Sequence, residues 1–457
     1  MIKYDFDSLS PLDGRYKNKT ISLRKYFSES ALNSYRIKIE TEYLKSLSKF
    51  KIIRNFTVKE IKLLDSFSVL SDLDNKNLKL LENKTHHDVK AIEYFLKSKF
   101  EKTSLENVSS FVHFGITSED INNLAYRLLI HDSLNNFTKN LIINIILQLN
   151  EVSKKTADVV ILARTHGQAA IPTTFGKEFM VFELRLVELF KELSNFNFRG
   201  KFNGAVGGYH ALFTAFPKID WQKFSKEFVE SFGFDFIEIT TQIAPADDLV
   251  KLFSIFNRIN NVLLDLNQDI WRYISDGWLA QTGKEKYVGS STMPQKINPI
   301  EFENSEGNLI IANSLFEGFS RKLPISRLQR DLSESTILRN IGISFGYCAV
   351  AYESLISGLS KLVVNEKIIN EQLFSNYNIL LEALQTELRA NGDVNAYEKI
   401  AIFGKNKTLQ KEDWKKLVRD NNSKLNNLTP ENYLGLTKQI TSSNIKKVEK
   451  FIKNFKK

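Results

Sequence analysis

"DLVKLFSIFNRINNVLLDLNQDIWRYIS", Asp248–Ser275, runs without a glycine or a proline and carries an apolar face at helical spacing. Such a stretch predicts one uninterrupted helix, and a helix with a single apolar stripe must bury it against others. Four further stretches share the pattern, at Asn136–Lys155, Thr174–Phe196, Pro299–Phe319 and Thr336–Leu362. Five helices of this length predict a long bundle that is a domain in itself. Strand-type alternation is scarce, which excludes a doubly wound sheet. The predicted fold class is therefore all-α.

The rest of the chain agrees. Glycine (20) and proline (8) are sparse among 457 residues, and no proline lies between Pro11 and Pro172 or between Pro324 and Pro430. Few breakers mean long elements. Ile21–Phe50 reads as a first long helix. Thr85 with Asp88, and Thr117 with Asp120, are spaced as capping boxes that open two more. Beyond Lys361 the elements shorten and lysine density rises. Three domains are expected: residues 1–108, a central bundle over 109–362, and a small helical domain over 363–457.

Apolar residues at 42% and charged residues at 25% describe an ordinary soluble globular chain. The net charge of +10 is spread over scattered lysines without interleaved stacking aromatics, so an anionic small substrate is favoured over nucleic acid. The single cysteine, Cys348, sits in an apolar run and is expected in the core. The N-terminal segment lacks an apolar signal region and no stretch reaches the roughly 20 apolar residues of a membrane span. A cytoplasmic location is expected.

Several segments can carry chemistry. "ARTHGQAAIPTTFGKE", Ala163–Glu178, sets His166 between a strand-like apolar run and a long helix, where a half-exposed imidazole can act as a general acid or a buried one can serve structure. "HHD", His86–Asp88, lacks the i, i+4 spacing of helical chelators, so no metal is expected. "NGAVGGYH", Asn203–His210, matches no nucleotide fingerprint and reads as a glycine-rich turn lining a pocket. "GSSTMPQKINP", Gly289–Pro299, places two hydroxyls and Lys296 just before a helix start, with Asn298 as cap and Pro299 as the first helical residue. Positive charge and free N–H groups there lower a hydroxyl pKa and hold an anion, while Gly283 and Gly289 are candidate hinges. "SRLQRDLSESTILRN", Ser326–Asn340, offers Arg327, Arg330 and Arg339 to a carboxylate or phosphate, or to Asp331 and Glu334 as surface partners.

Together these segments resemble the fumarase/aspartase superfamily, whose signature loop "GSSTMPQKINP" matches. Within it, "SPLDGRY", "HHDVKAIEYFL", "FVHFGITSEDINN", "RTHGQ", "FNGAVGGY", "TTQI", "FENSEGN" and "SRLQRDLSESTILRN" are similar to the adenylosuccinate lyases of the bacterial type. The resemblance covers nearly the whole chain. It implies a three-domain, all-α subunit whose long central helices pair into a homotetramer, with active sites shared between subunits and no cofactor. It also implies fumarate elimination from succinylated purine nucleotides in purine biosynthesis: from adenylosuccinate, giving AMP, and from succinylated aminoimidazole carboxamide ribotide.

The resemblance carries roles onto residues. Ser290 matches the general base and His166 the general acid. Lys296 and Asn298 match groups that hold the succinyl carboxylates, and His87, within His86–Asp88, matches a substrate-binding histidine. Arg15, Tyr16, Thr117, Ser118, Gln242, Asn304, Arg330 and the run Ser335, Thr336, Ile337, Leu338, Arg339 match nucleotide- or succinyl-binding positions. The chain departs from the usual pattern at Gln295, at His86 and at Ala169. Gln295 resembles the argininosuccinate lyases, so that activity, or another fumarate-releasing one, is the alternative enzyme reading. A non-catalytic helical scaffold is the alternative from another class.

Overall fold

The computed structural model describes residues 7–282, 292–406 and 408–455. Its principal helices are α1 (Glu29–Lys49), α2 (Asp72–Thr85), α3 (Asp88–Phe100), α4 (Ser118–Ser133) and α5 (Lys139–Lys155). A hairpin of β1 (Val160–Thr165) and β2 (Gln168–Thr174) follows, then α6 (Phe175–Ser194) and α7 (Asp247–Ser275). The remainder is dominated by α8 (Ile300–Lys322), α9 (Ser333–Leu338), α10 (Ile341–Leu359), α11 (Glu366–Phe374) and α12 (Thr437–Phe455). Among the described residues the strands form only two-stranded pieces, so the molecule is built of helices.

The chain divides into two compact units. The first comprises residues 1–141, 191–260 and 308–351. Its core packs rings densely: Phe202 lies 4.5 Å from Phe228 and 5.0 Å from Tyr43, and Phe253 stacks on Phe316 at 5.3 Å. Cys348 is buried here beside Asn260, as its apolar surroundings predict. The second unit comprises residues 142–190, 261–307 and 352–457. One of its cores gathers Val160 and Leu162 of β1 with Leu373, Leu384, Trp414 and Val418. In another part Tyr273 stacks on Trp278 at 5.7 Å.

Local chemistry explains where the expected helices begin and end. The stretch predicted as Ile21–Phe50 is interrupted at Ser28, whose extended backbone and hydroxyl, accepting from the Ala31 N–H at 3.1 Å, start α1 afresh. Thr85 does not cap α3. It closes α2, donating to the Leu81 carbonyl at 2.9 Å, and His87 takes the capping place by accepting the Lys90 N–H at Nδ1, 3.1 Å away. Thr117 does open α4, with its N–H given to Asp120 Oδ2 at 2.9 Å. The expected helix Thr336–Leu362 is two helices, α9 and α10, broken at Arg339–Asn340. At the start of α8 the Pro299 carbonyl accepts from Phe302 and Glu303, so the cap falls one residue beyond Asn298.

Candidate active site

The first unit holds Arg15, Tyr16, His86–Asp88, Thr117, Ser118, Gln242, Arg330 and Ser335–Arg339. Asp88 is the centre of one group. Arg36 Nη2 lies 2.7 Å and Arg339 Nη2 2.9 Å from its Oδ2. Burial pushes the Asp88 carboxyl up, but the two guanidinium groups outweigh it and hold the pKa below the usual range. His87 beside it is exposed, and because its Nδ1 accepts from Lys90, Nε2 is left to carry the ring proton. His86 sits in the left-handed region at φ 52°, the turn that separates α2 from α3.

A second group surrounds Arg330. Its Nε donates to Glu334 Oε1 at 2.9 Å, its Nη2 lies 3.2 Å from Glu119 Oε2, and its Nη1 donates to Gln242 Oε1 at 3.2 Å. Gln242 in turn donates Nε2–H to the Ala205 carbonyl at 2.9 Å, so both ends of its amide are engaged. Two buried carboxylates thus share one arginine. Burial raises the Glu119 pKa to about 7 even against the pull of Arg330. The surface pairing expected for Arg330 with Glu334 is present but lies in the interior, while Asp331 accepts the backbone N–H of Arg327 and the Ser333 hydroxyl. Arg339 and Asp88 tie this arginine-rich segment to the start of α3, and Arg339 keeps 47% of its side chain exposed.

Beneath Thr117 and Ser118 lies a group that the composition of the segment does not advertise. Asp120, wholly buried, accepts the N–H of Thr117 at 2.9 Å, of Asn203 at 3.0 Å and of Gly204 at 3.1 Å, and pairs with buried Lys201 at 2.9 Å. The glycine-rich segment thus gives two of its backbone N–H groups to a buried carboxylate and forms a backbone cradle around it. At Gly207 (φ 74°) an added Cβ would lie 2.3 Å from the Thr240 carbonyl oxygen, so only glycine allows the "TTQ" strip that carries Gln242 to come so close.

The second unit holds His166, Lys296, Asn298 and Asn304. His166 and Gly167 form the two-residue turn of the β1–β2 hairpin, both at positive φ, 53° and 73°, as a type I′ turn requires. The imidazole is thereby presented, exposed, at the hairpin tip. Lys296 is exposed in the turn ahead of α8, its N–H given to the Met293 carbonyl at 3.1 Å. Asn304 on α8 accepts the Ser354 hydroxyl at 2.8 Å. Ser290, with Gly283, Gly289 and Ser291, lies outside the described residues.

Against known proteins, the Lyase family model matches residues 14–312 and the Adenylosuccinate lyase C-terminal model residues 326–434. The adenylosuccinate lyase of Legionella pneumophila (strain Corby) is 43% identical over 453 residues, 96% of this chain and 98% of that protein. That of Escherichia coli (strain K12) is 39% identical over 439 residues, 94% and 96% of the two chains. The chain belongs to the adenylosuccinate lyase family. Two solved structures show the same fold at 17% identity. A fumarate lyase from Mesorhizobium sp. BNC1 has a TM-score of 0.76 and covers 93% of this chain and 97% of that one. A 3-carboxy-cis,cis-muconate lactonizing enzyme from Pseudomonas putida has a TM-score of 0.74, with 94% and 97% covered. The all-α fold and the lyase class that the sequence implied are both borne out. No described helix is long and apolar enough to cross a membrane.

Motif reading passed over Asp120, Lys201, Glu119 and Arg36. Asp120 was visible only as the acid that closes a capping box. Lys201 sits in an unremarkable position before a glycine-rich run, and its burial is a tertiary property.

Proposed function

We propose that this chain eliminates fumarate from adenylosuccinate, giving AMP, and from succinylated aminoimidazole carboxamide ribotide. The observation that carries this reading is identity of about two residues in five over nearly the full length of adenylosuccinate lyases, joined to a C-terminal region matched by that family's own model. It favours these substrates over argininosuccinate, which Gln295 alone would leave open, and over a non-catalytic scaffold.

Ser290, ionised, removes the proton from the succinyl carbon beside a carboxylate, and the electron pair is held on that carboxylate as an aci-carboxylate. The pair then forms the fumarate double bond as the carbon–nitrogen bond breaks, and His166 protonates the departing nitrogen. Lys296, exposed before the N-terminus of α8, and Asn298 hold the succinyl carboxylates. The positive ends of Lys296 and of the helix stabilise charge that grows in the transition state. Arg15, Tyr16, His86, His87, Asp88, Thr117, Ser118, Gln242, Asn304, Arg330 and Ser335–Arg339 complete substrate binding. His87 orients the substrate, and the partly exposed Arg339 has donors to spare for an anion. The reading carries with it the implied three-domain subunit, the homotetramer with shared sites and a cytoplasmic location.

Fumarate release from purified adenylosuccinate, followed for wild type, Ser290→Ala, Ser291→Ala and His166→Ala, tests the proposal. Ser290→Ala and His166→Ala are expected to fold and to lose on the order of 10²- to 10⁴-fold in turnover, with Ser291→Ala much less affected. Faster turnover of argininosuccinate than of adenylosuccinate would overturn the substrate assignment.

A further inference from the structure

The hairpin that carries His166 is held in two different ways along its length. Its proximal half is fixed by burial: Val160 and Leu162 belong to the apolar core of the second unit, paired with Thr174 and Pro172. Between Leu162 and Arg164 the register shifts, with two residues of β2 opposite one of β1. Beyond that bulge only Arg164↔Ala169 and Thr165↔Gln168 remain before the exposed turn, and none of these residues is buried.

Among the described residues that distal half has one side-chain anchor of substance, the guanidinium of Arg164. Its Nη1 is ion-paired with Asp276 Oδ2, and its Nη2 donates to Gln372 Oε1 at 3.3 Å. The same Gln372 oxygen accepts the Trp278 indole N–H at 2.8 Å, and the guanidinium carbon lies 4.7 Å from the Trp278 ring centroid. Asp276 is itself steadied by Arg272, with Nε 3.1 Å from Oδ2 and Nη2 3.0 Å from Oδ1. The strand, the end of α7, the buried Trp278 and α11 therefore converge on one planar group two residues before His166. A guanidinium suits this task because its fork and its flat face can be engaged together, which an ammonium cannot match.

We propose that Arg164 is a positioning residue that fixes the hairpin tip, and so the place at which His166 delivers its proton. The proposal rests on His166 being the general acid. An acid on a two-residue turn loses much of its rate if the tip wanders, since misplacement by about 1 Å can cost 10²-fold. Arg164 does not touch the departing nitrogen on this account, so substrate binding is spared.

The test is kcat and KM for fumarate release from adenylosuccinate with Arg164→Met, Arg164→Lys, Gln372→Leu and His166→Ala, each checked for folding by circular dichroism and Tm. Arg164→Met is expected to lower kcat about 10- to 100-fold with KM within about threefold of wild type. Arg164→Lys, which keeps the pairing with Asp276 but not the fork or the stacking, should recover part of the loss, and Gln372→Leu should lower kcat by a smaller factor. A wild-type kcat in Arg164→Met, or a loss matched by an equal loss of folded protein, overturns the proposal. Should Arg164→Met not fold, an unchanged kcat in Gln372→Leu overturns it instead. His166→Ala separates the two levels. Full turnover there removes the acid assignment itself, whereas an inactive His166→Ala beside a fully active Arg164→Met removes only the role of Arg164.

Discussion

Glu183, on α6, is wholly buried, and its carboxylate oxygens accept from Asn150 Nδ2 at 2.7 Å and the Ser153 hydroxyl at 3.1 Å. Burial pushes its pKa to about 7 against those two hydrogen bonds. An unfolded glutamate titrates near 4.3, so between roughly pH 4.3 and pH 7 the folded chain keeps a proton that the unfolded chain has released. Stability from this group is fully present below the unfolded pKa and is lost as pH rises through the folded one, by up to about 4 kcal/mol. Glu183→Gln has no proton to lose and can still bond Asn150 and Ser153. Its urea midpoint, measured from pH 4.5 to 8 at one protein concentration, is expected to rise relative to wild type as pH increases. A difference between the two proteins that stays constant with pH would show that Glu183 is ionised throughout. Nothing in the string of residues around Glu183 marks it for this, because a glutamate on an amphipathic helix reads as solvent-facing until the neighbouring helix is placed. Asp88, partly exposed, goes the other way because of its company: Arg36 and Arg339 reach it from 52 and 251 residues away along the chain.

Elements were legible in proportion to how local their causes are. The long helices α5 to α8 follow from periodicity and the absence of breakers, and all four lie within a few residues of where that pattern puts them. Capping was less secure. Thr85 has the right type and spacing, yet it is the last residue of α2, and His87 caps α3 with a ring nitrogen that no capping rule anticipates. The break between α9 and α10 was invisible for a similar reason, since Arg339 and Asn340 are acceptable inside a helix and depart from it where Arg339 reaches Asp88. Of the site, the residues proposed to meet substrate were readable through their motifs, whereas the groups that hold them in place were not. The cradle under α4 is the clearest case, and it carries a prediction at this scale. Lys201 and Asp120 form a fully buried ion pair that joins the start of α4 to the glycine-rich segment. Lys201→Met leaves Asp120 charged and unpaired in the interior, at a cost of about 3–5 kcal/mol. Adding Asp120→Asn to Lys201→Met removes the stranded charge, so the double variant is expected to be more stable than Lys201→Met alone. Denaturation of the three proteins checks the order. A Lys201→Met protein as stable as wild type would mean that the backbone N–H groups of Thr117, Asn203 and Gly204 suffice to hold the carboxylate.

At the scale of the whole molecule, the outward side of α8 is a surface suited to a partner. Its inner residues Phe302, Leu309, Ala312, Phe316 and Phe319 are buried. Along the opposite side run Gly307, Ile310, Ser314 and Gly318, with Ile311 beside them, all exposed in the single chain. Ile310 is 51% and Ile311 45% exposed, and a Cβ added at Gly307 or Gly318 would meet open space. A helix side of small residues flanking two isoleucines is suited to close approach by another helix and gains little from water. The homotetramer proposed for this family member supplies such a partner through its paired central helices. Ile310→Asp sets a carboxylate into that contact, where leaving it unpaired costs several kcal/mol at each copy. Because the side chain is exposed in the lone chain, the fold of the subunit should survive the change. Sedimentation velocity is expected to shift from a tetramer toward smaller species in Ile310→Asp. Turnover should fall with the tetramer fraction and recover as protein concentration is raised, because the proposed sites draw on more than one subunit. If Ile310→Asp sediments as wild type does and keeps its rate, the outward side of α8 faces solvent in the assembled enzyme, and the subunits must meet elsewhere.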